Sequence, residues 1–178
     1  MDPDSLFFGY GQFIIVVLGL PGTGKSYFAQ KLSDRLGAVH INSDRLRNAL
    51  QARGKYTIED KLHIYRIMAD KASEALAQGK FVIVDATFYK RGMIDLFLSL
   101  AKDQASPIRF IKIEADESLV QERLQKTRMD SEADFQVYLE IKCDFEELQV
   151  PFLVLRSEQN NINTMIESAL GYIGSPHD

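Results

Sequence analysis

The sequence predicts an α/β domain: a five-stranded parallel sheet flanked by helices in three layers, with a small lid. Two observations carry this. Short, continuously apolar runs rich in β-branched residues alternate with longer stretches whose apolar residues recur every three or four positions. Strands joined through helices return parallel, with both faces of the sheet covered. The length agrees: 178 residues, 46% hydrophobic and 26% charged, suit a single domain over 1–178. Such a chain buries about two-thirds of its unfolded surface and needs no disulfide or structural metal.

Each element has a local reason. Phe13–Leu18 is apolar throughout, as a strand buried on both faces must be. A glycine-rich turn follows, then a helix over Lys25–Leu36, stopped by Gly37. Ala38–Ile41 reads as a second strand and Asp44 to Arg53 as a second helix. Thr57 is an N-cap followed by the first-turn acids Glu59 and Asp60. Leu62, Tyr65, Ala69, Ala72 and Leu76 then mark one helical face ending near Gly79. Phe81–Val84 is a strand closed by Asp85, and Arg91–Lys102 a helix. Ile108–Ile113 is the fourth strand, and Asp116 caps a helix to Lys126. Thr127–Asp134 is polar and reads as a mobile loop. A helix over Phe135–Leu148, a strand over Phe152–Leu155 and a helix over Ile162–Ile173 complete the pattern. Phe7, Phe8 and Tyr10 are expected to pack a sheet edge.

Composition narrows the function. The net charge of −4 excludes a protein held on nucleic acid by charge alone. Residues 1–89 carry 11 basic and 9 acidic side chains, whereas residues 90–178 carry 10 and 16, so the first half is the better place to meet an anion. One cysteine, Cys143, and three histidines argue against disulfides and a structural zinc. Met1-Asp2-Pro3-Asp4 puts acids where a signal peptide needs bases, and no apolar run near it approaches the roughly 20 residues of a membrane span. The expectation is a cytoplasmic protein with no membrane partner.

Gly19-Leu20-Pro21-Gly22-Thr23-Gly24-Lys25-Ser26 matches G-x-x-x-x-G-K-[ST] in full, between a buried strand and a helix. Glycines let successive N–H groups turn inward around a phosphate, and the helix start adds its positive dipole end. Lys25 reaches toward the terminal phosphates, and the Ser26 hydroxyl suits Mg²⁺. Gly19, Pro21, Gly22, Thr23, Gly24, Lys25, Ser26 and Tyr27 are therefore the contact candidates for a nucleoside triphosphate with Mg²⁺, and Lys25 is a catalytic candidate as well; the loop alone does not separate a kinase from a switch or an ATPase. Asp44 follows the second strand, where a carboxylate can take a proton from an attacking hydroxyl. Arg47 sits one helical turn on, placed to hold the acceptor or the moving phosphoryl group. The plainer reading of Asp44 is a helix N-cap.

Gly19–Ser26, Asn42-x-Asp44-x-x-Arg47, Val82-Ile83-Val84-Asp85-Ala86-Thr87 and Asp130–Tyr138 together resemble the small ATP-binding P-loop kinases akin to polynucleotide kinase, gluconate kinase and the zeta toxins. The resemblance covers roughly residues 13–155 and implies that Asp44 is the catalytic base and Arg47 its partner. Asp85, after four apolar strand residues, has the place of a Walker B acid that holds Mg²⁺ indirectly, through water or by bonding Ser26; the plainer reading is a strand-end Asp bonded to local backbone. The resemblance also implies a lid at about 123–135 that excludes water and brings arginines to the developing charge. Arg123 and Arg128 are its candidates, Arg123 toward the nucleotide and Arg128 toward catalysis. The expected activity is transfer of the γ-phosphate to a hydroxyl acceptor: a small metabolite, a nucleoside or, less favoured, a nucleic-acid 5′-hydroxyl. The alternatives are a nucleotide-driven ATPase without its own acceptor and a nucleoside monophosphate kinase.

Overall fold

A computed structural model describes residues 12–52, 54, 57–126 and 133–175. In chain order the elements are β1 (Phe13–Leu18), α1 (Lys25–Leu36), β2 (Val39–Asn42), α2 (Ser43–Ala49), α3 (Ile58–Ala77) and β3 (Phe81–Asp85). They continue with α4 (Arg91–Asp103), β4 (Ile108–Glu114), α5 (Glu117–Gln125), α6 (Phe135–Asp144), β5 (Leu153–Arg156) and α7 (Ile162–Gly174).

All strand pairs are parallel and the order is β2-β3-β1-β4-β5. Chain order reverses beside β1, which pairs with β3 on one side and β4 on the other. A crevice for ligands opens at such a reversal, outside the strand carboxyl ends. The side-chain period of two divides β1 between two cores. Ile14, Val16 and Leu18 pack with α3 and α4, whereas Phe13, Ile15 and Val17 pack with α1 and α7. Every β1 side chain is buried, and each large one contributes about 1.5–3 kcal/mol relative to exposure. The three-layer sheet expected from the sequence is the architecture found.

Several ends differ from expectation, each for a visible reason. β2 is shifted by one residue, to Val39–Asn42, because it pairs with β3 up to Asn42↔Asp85. α2 stops at Ala49 instead of Arg53. Its end is a Schellman closure: Gln51 turns left-handed (φ 52°), Ala52 N–H donates to the Arg47 carbonyl at 2.9 Å, and Gln51 N–H to that of Asn48 at 3.1 Å. No glycine announces this turn. α6 ends at Asp144, four residues short of Leu148. There Phe145 becomes extended, Glu146 N–H donates to the Tyr89 carbonyl at 2.9 Å, and Glu146 Oε2 accepts from the Arg91 N–H at 2.6 Å. Glu146 thus caps α4 from a distant segment, and helix α6 gives way to that contact. Asp116 stands at the N-cap of α5 but makes no capping bond, lying instead 3.3 Å from Arg156. Thr57 forms the anticipated cap as a full capping box with Asp60.

The lid expected at 123–135 divides. Residues 123–125 belong to α5, and residues 127–132, with Arg128, lie outside the described residues, as do Phe7, Phe8 and Tyr10. Cys143 is exposed on α6. Among the described residues no helix is long and apolar enough to cross a membrane.

Candidate active site

The loop after β1 is shaped by its glycines. Gly19 (φ 152°) lies so close to the backbone of β4 that a Cβ would collide with the Ile113 carbonyl oxygen. Gly24 (φ 92°) starts α1, and its carbonyl accepts the Phe28 N–H at 3.0 Å. The Thr23 hydroxyl donates to the Leu20 carbonyl at 2.8 Å, so this buried side chain braces the loop from within. Lys25 and Ser26 are half-buried at the helix start, and Tyr27 is exposed.

A cleft of about 500 Å³ runs from this loop to the β5–α7 connection. Gly22, Gly24, Lys25, Tyr27, Arg123 and Asn160 are among its lining residues. That volume is typical of small-molecule sites. The far wall, Ser157 to Ile162, went unnoticed in the sequence. Its signal was there: five polar residues follow the last strand, at the sheet end where ligands collect. Asn161 folds this wall, accepting the Glu158 N–H at 3.0 Å and donating to the Arg156 carbonyl at 2.9 Å. Asn160 is left in the left-handed region at φ 60°.

Arg123 spans the cleft's two walls. Its Nη1 donates to the Thr23 carbonyl at 3.1 Å and its Nη2 to the Ser157 hydroxyl at 3.1 Å. From α5 it therefore grips the backbone of the glycine-rich loop itself.

On the other side of the loop, β2 and β3 bring a second group together. Asn42 Nδ2 donates to Asp85 Oδ2 at 2.6 Å and to the Ser26 hydroxyl at 3.1 Å. His40 Nε2 lies 3.1 Å from the same Asp85 oxygen. Asp85 is wholly buried, and its Oδ1 has no hydrogen-bond partner. Burial alone would raise its pKa, but the His40 bond, the Lys25 charge and the Asn42 bond outweigh that and hold it below the usual carboxylate value. A buried, ionised carboxylate with an unused oxygen beside a serine hydroxyl suits a hard cation. The described residues hold no cluster of three or more metal-ligating side chains, so such a cation would depend on phosphate and water for its remaining ligands.

Asp44 lies in the first turn of α2 and Arg47 one turn on, with Nη1 2.9 Å from Asp44 Oδ1. The cap of α2 is Asn42, whose Oδ1 accepts the Arg45 N–H at 2.8 Å. The simple N-cap reading of Asp44 is thereby corrected: Asn42 holds that position, and the Asp44 carboxylate points to Arg47. Arg47 is buried, whereas Asp44 keeps a third of its side chain exposed. Behind them the buried Tyr65 hydroxyl accepts the Phe88 N–H at 2.9 Å. Burial pushes the Tyr65 phenol up, against the pull of that bond and of Arg47. Phe88 is held at φ 51° with its ring edge-on to Tyr65 and Phe97, a strained backbone fixed by packing.

The structure thus brings Lys25, Ser26 and Asp85 to one end of the sheet, with Asn42 tying Ser26 and Asp85 to the helix that carries Asp44 and Arg47. Arg123 approaches from the opposite wall. The sequence pattern gave neither Asn42 nor His40 a part in the site. They stand two apart on β2, and the β2–β3 register sets Asn42 opposite Asp85.

The sheet order, the glycine-rich loop at the end of β1 and the acid closing β3 define a P-loop nucleoside-triphosphatase fold. The chain belongs to the AAA domain family, which matches residues 14–148. No curated protein matches the sequence. Among solved structures it is similar to the APS kinase CysC of Mycobacterium tuberculosis, in complex with AMPPNP and APS, with 17% identity, coverage of 92% of this chain and 98% of the other, and a TM-score of 0.72. A gluconokinase from Sinorhizobium meliloti gives 17% identity, 91% and 93% coverage and a TM-score of 0.69. Kti12 of Chaetomium thermophilum, in complex with ADP-AlF3, gives 18% identity, 89% and 97% coverage and a TM-score of 0.67. At these identities the likeness is one of fold.

Proposed function

We propose that the protein is an ATP-dependent phosphotransferase that moves the γ-phosphoryl group to a hydroxyl acceptor. The observation that carries the reading is the Ser26–Asn42–Asp85 web, which joins the glycine-rich loop to the first turn of α2, where Asp44 lies. In this reading the loop amides from Gly19 to Ser26 and the Lys25 ammonium bind the triphosphate, and the cleft toward Ser157–Ile162 takes the nucleoside. Ser26 and Asp85 would hold Mg²⁺, which when bound offsets phosphate charge. Asp44 accepts the proton of the incoming hydroxyl, and Arg47 orients Asp44 and draws the acceptor's oxygen toward it. Arg123 holds the loop at its working shape, and Arg128 would come to the transferring group from the lid. AMPPNP in the APS kinase complex and ADP-AlF3 in the Kti12 complex support a nucleotide as the ligand.

The acceptor is a small hydroxyl compound or short nucleotide in preference to a long nucleic acid, because a net charge of −4 offers little grip on a polyanion. A second reading, a nucleotide-driven binding protein with no acceptor, is favoured by one feature: Arg47 already engages the proposed base at 2.9 Å. A screen with γ-labelled ATP against sugars, sugar acids, nucleosides and 5′-hydroxyl oligonucleotides separates the two. Label appearing in an acceptor supports transfer. Release of phosphate alone, unaffected by Asp44→Ala, supports the second reading.

A further inference from the structure

Two donors converge on a single oxygen of Asp85. Oδ2 receives Asn42 Nδ2 at 2.6 Å and His40 Nε2 at 3.1 Å, while Oδ1 is buried and unpaired. Nε2 must donate here, because an ionised carboxylate oxygen only accepts. A carboxylate kept for structure alone would share its donors between both oxygens, since a buried acceptor without a partner is costly. His40 Nδ1 lies 3.2 Å from Gln30 Oε1, an acceptor, so this contact is a hydrogen bond only where Nδ1 carries a proton as well as Nε2. The Gln30 amide is oriented by its own bond to Asp34 Oδ1 at 2.9 Å and by the Arg45 guanidinium, which donates to Oε1 at 3.0 Å. The His40 side chain is only 5% exposed, so solvent does not substitute for these contacts.

We propose that His40 and Asn42 are positioning residues for the cation that enters with the nucleotide: by occupying Oδ2 together they fix the rotation of the Asp85 carboxylate and reserve Oδ1 for the ion or its water shell. The inference rests on the ATP·Mg²⁺ reading above. It assigns β2 a task beside that of Ser26, namely setting how much the protein gains from the metal through Asp85.

The ratio of the ATP dissociation constants in EDTA and in Mg²⁺, both from calorimetry, reads that gain without any acceptor or turnover. His40→Leu is expected to shrink the ratio about tenfold, the scale seen when outer partners of a metal ligand are removed, with the EDTA value within about twofold of wild type. His40→Gln, which keeps an N–H donor, is expected to recover most of it. Asn42→Ser keeps a capping hydroxyl for α2 but loses the reach to Asp85, and it should show the same loss should His40→Leu fail to fold. An unchanged ratio in folded His40→Leu or in Asn42→Ser overturns the proposal, as does a His40→Gln protein no better than His40→Leu. A wild type that binds ATP equally with and without Mg²⁺ overturns it while leaving the nucleotide site standing. A wild type that binds no ATP overturns both.

Discussion

The two sides of the candidate site are held in different ways. On the proposed nucleotide side, Ser26, Asn42, His40 and the wholly buried Asp85 form a web that ties α1, β2 and β3 together. On the proposed acceptor side, Asp44 pairs with Arg47 and keeps a third of its side chain exposed. The short helix carrying both spans only seven residues. A buried web fixes geometry before any ligand arrives, which electrostatic stabilisation of phosphoryl transfer requires. A partly exposed acid on a short helix has room to change partner, as the proposed general base would do when a hydroxyl enters.

The largest expected effect breaks the acceptor side alone. Asp44→Asn should lower kcat about a thousandfold, within the usual range for loss of a general base, and leave the ATP dissociation constant nearly unchanged. Steady-state kinetics beside calorimetry checks this, and a parallel loss of ATP affinity would move Asp44 to the nucleotide side. Next comes the loop. Gly19→Ala combines a backbone at φ 152° with a Cβ driven into the Ile113 carbonyl. Urea unfolding should show a loss of about 2–3 kcal/mol, the scale of a strained residue with a backbone clash. Arg123→Ala removes the bonds to the Thr23 carbonyl and the Ser157 hydroxyl. We expect about 1 kcal/mol of stability lost in urea unfolding and a severalfold weaker ATP complex by calorimetry. A normal ATP affinity in that variant would show that the loop holds its shape unaided.

The smallest effect concerns acid and sharpens the nucleotide side. Asp85 in the folded state binds its proton less tightly than the ordinary carboxylate at 3.8, because the His40 bond, Lys25 and Asn42 outweigh burial. Its contribution to stability is therefore complete above that value and is lost as pH falls through the lower, folded one. Thermal unfolding of wild type should weaken progressively below pH 3.8. In Asp85→Asn that part of the acid dependence should be missing. Equal slopes in the two proteins would place the acid sensitivity elsewhere.

How far the sequence reached follows the same division. β1, the glycine-rich loop and α1 are consecutive, so pattern and motif together locate Lys25 and Ser26. The contact of Asn42 with Asp85 joins residues 43 apart, and only the β2–β3 register reveals it. Ser157 meets Arg123 across another 34 residues, through the placing of β5 at the sheet edge. α2 and α6 end earlier than periodicity implies because a left-handed Gln51 and the Glu146 cap on α4 are tertiary choices. Local chemistry was legible, and partners supplied from far along the chain were not.

Calorimetric titration of the wild type and Lys25→Ala with ATP in the presence of Mg²⁺ tests the central claim most directly. The account requires one ATP bound per wild-type chain and a large loss of affinity in Lys25→Ala. No heat of binding in the wild type, or equal affinity in the two proteins, would contradict it.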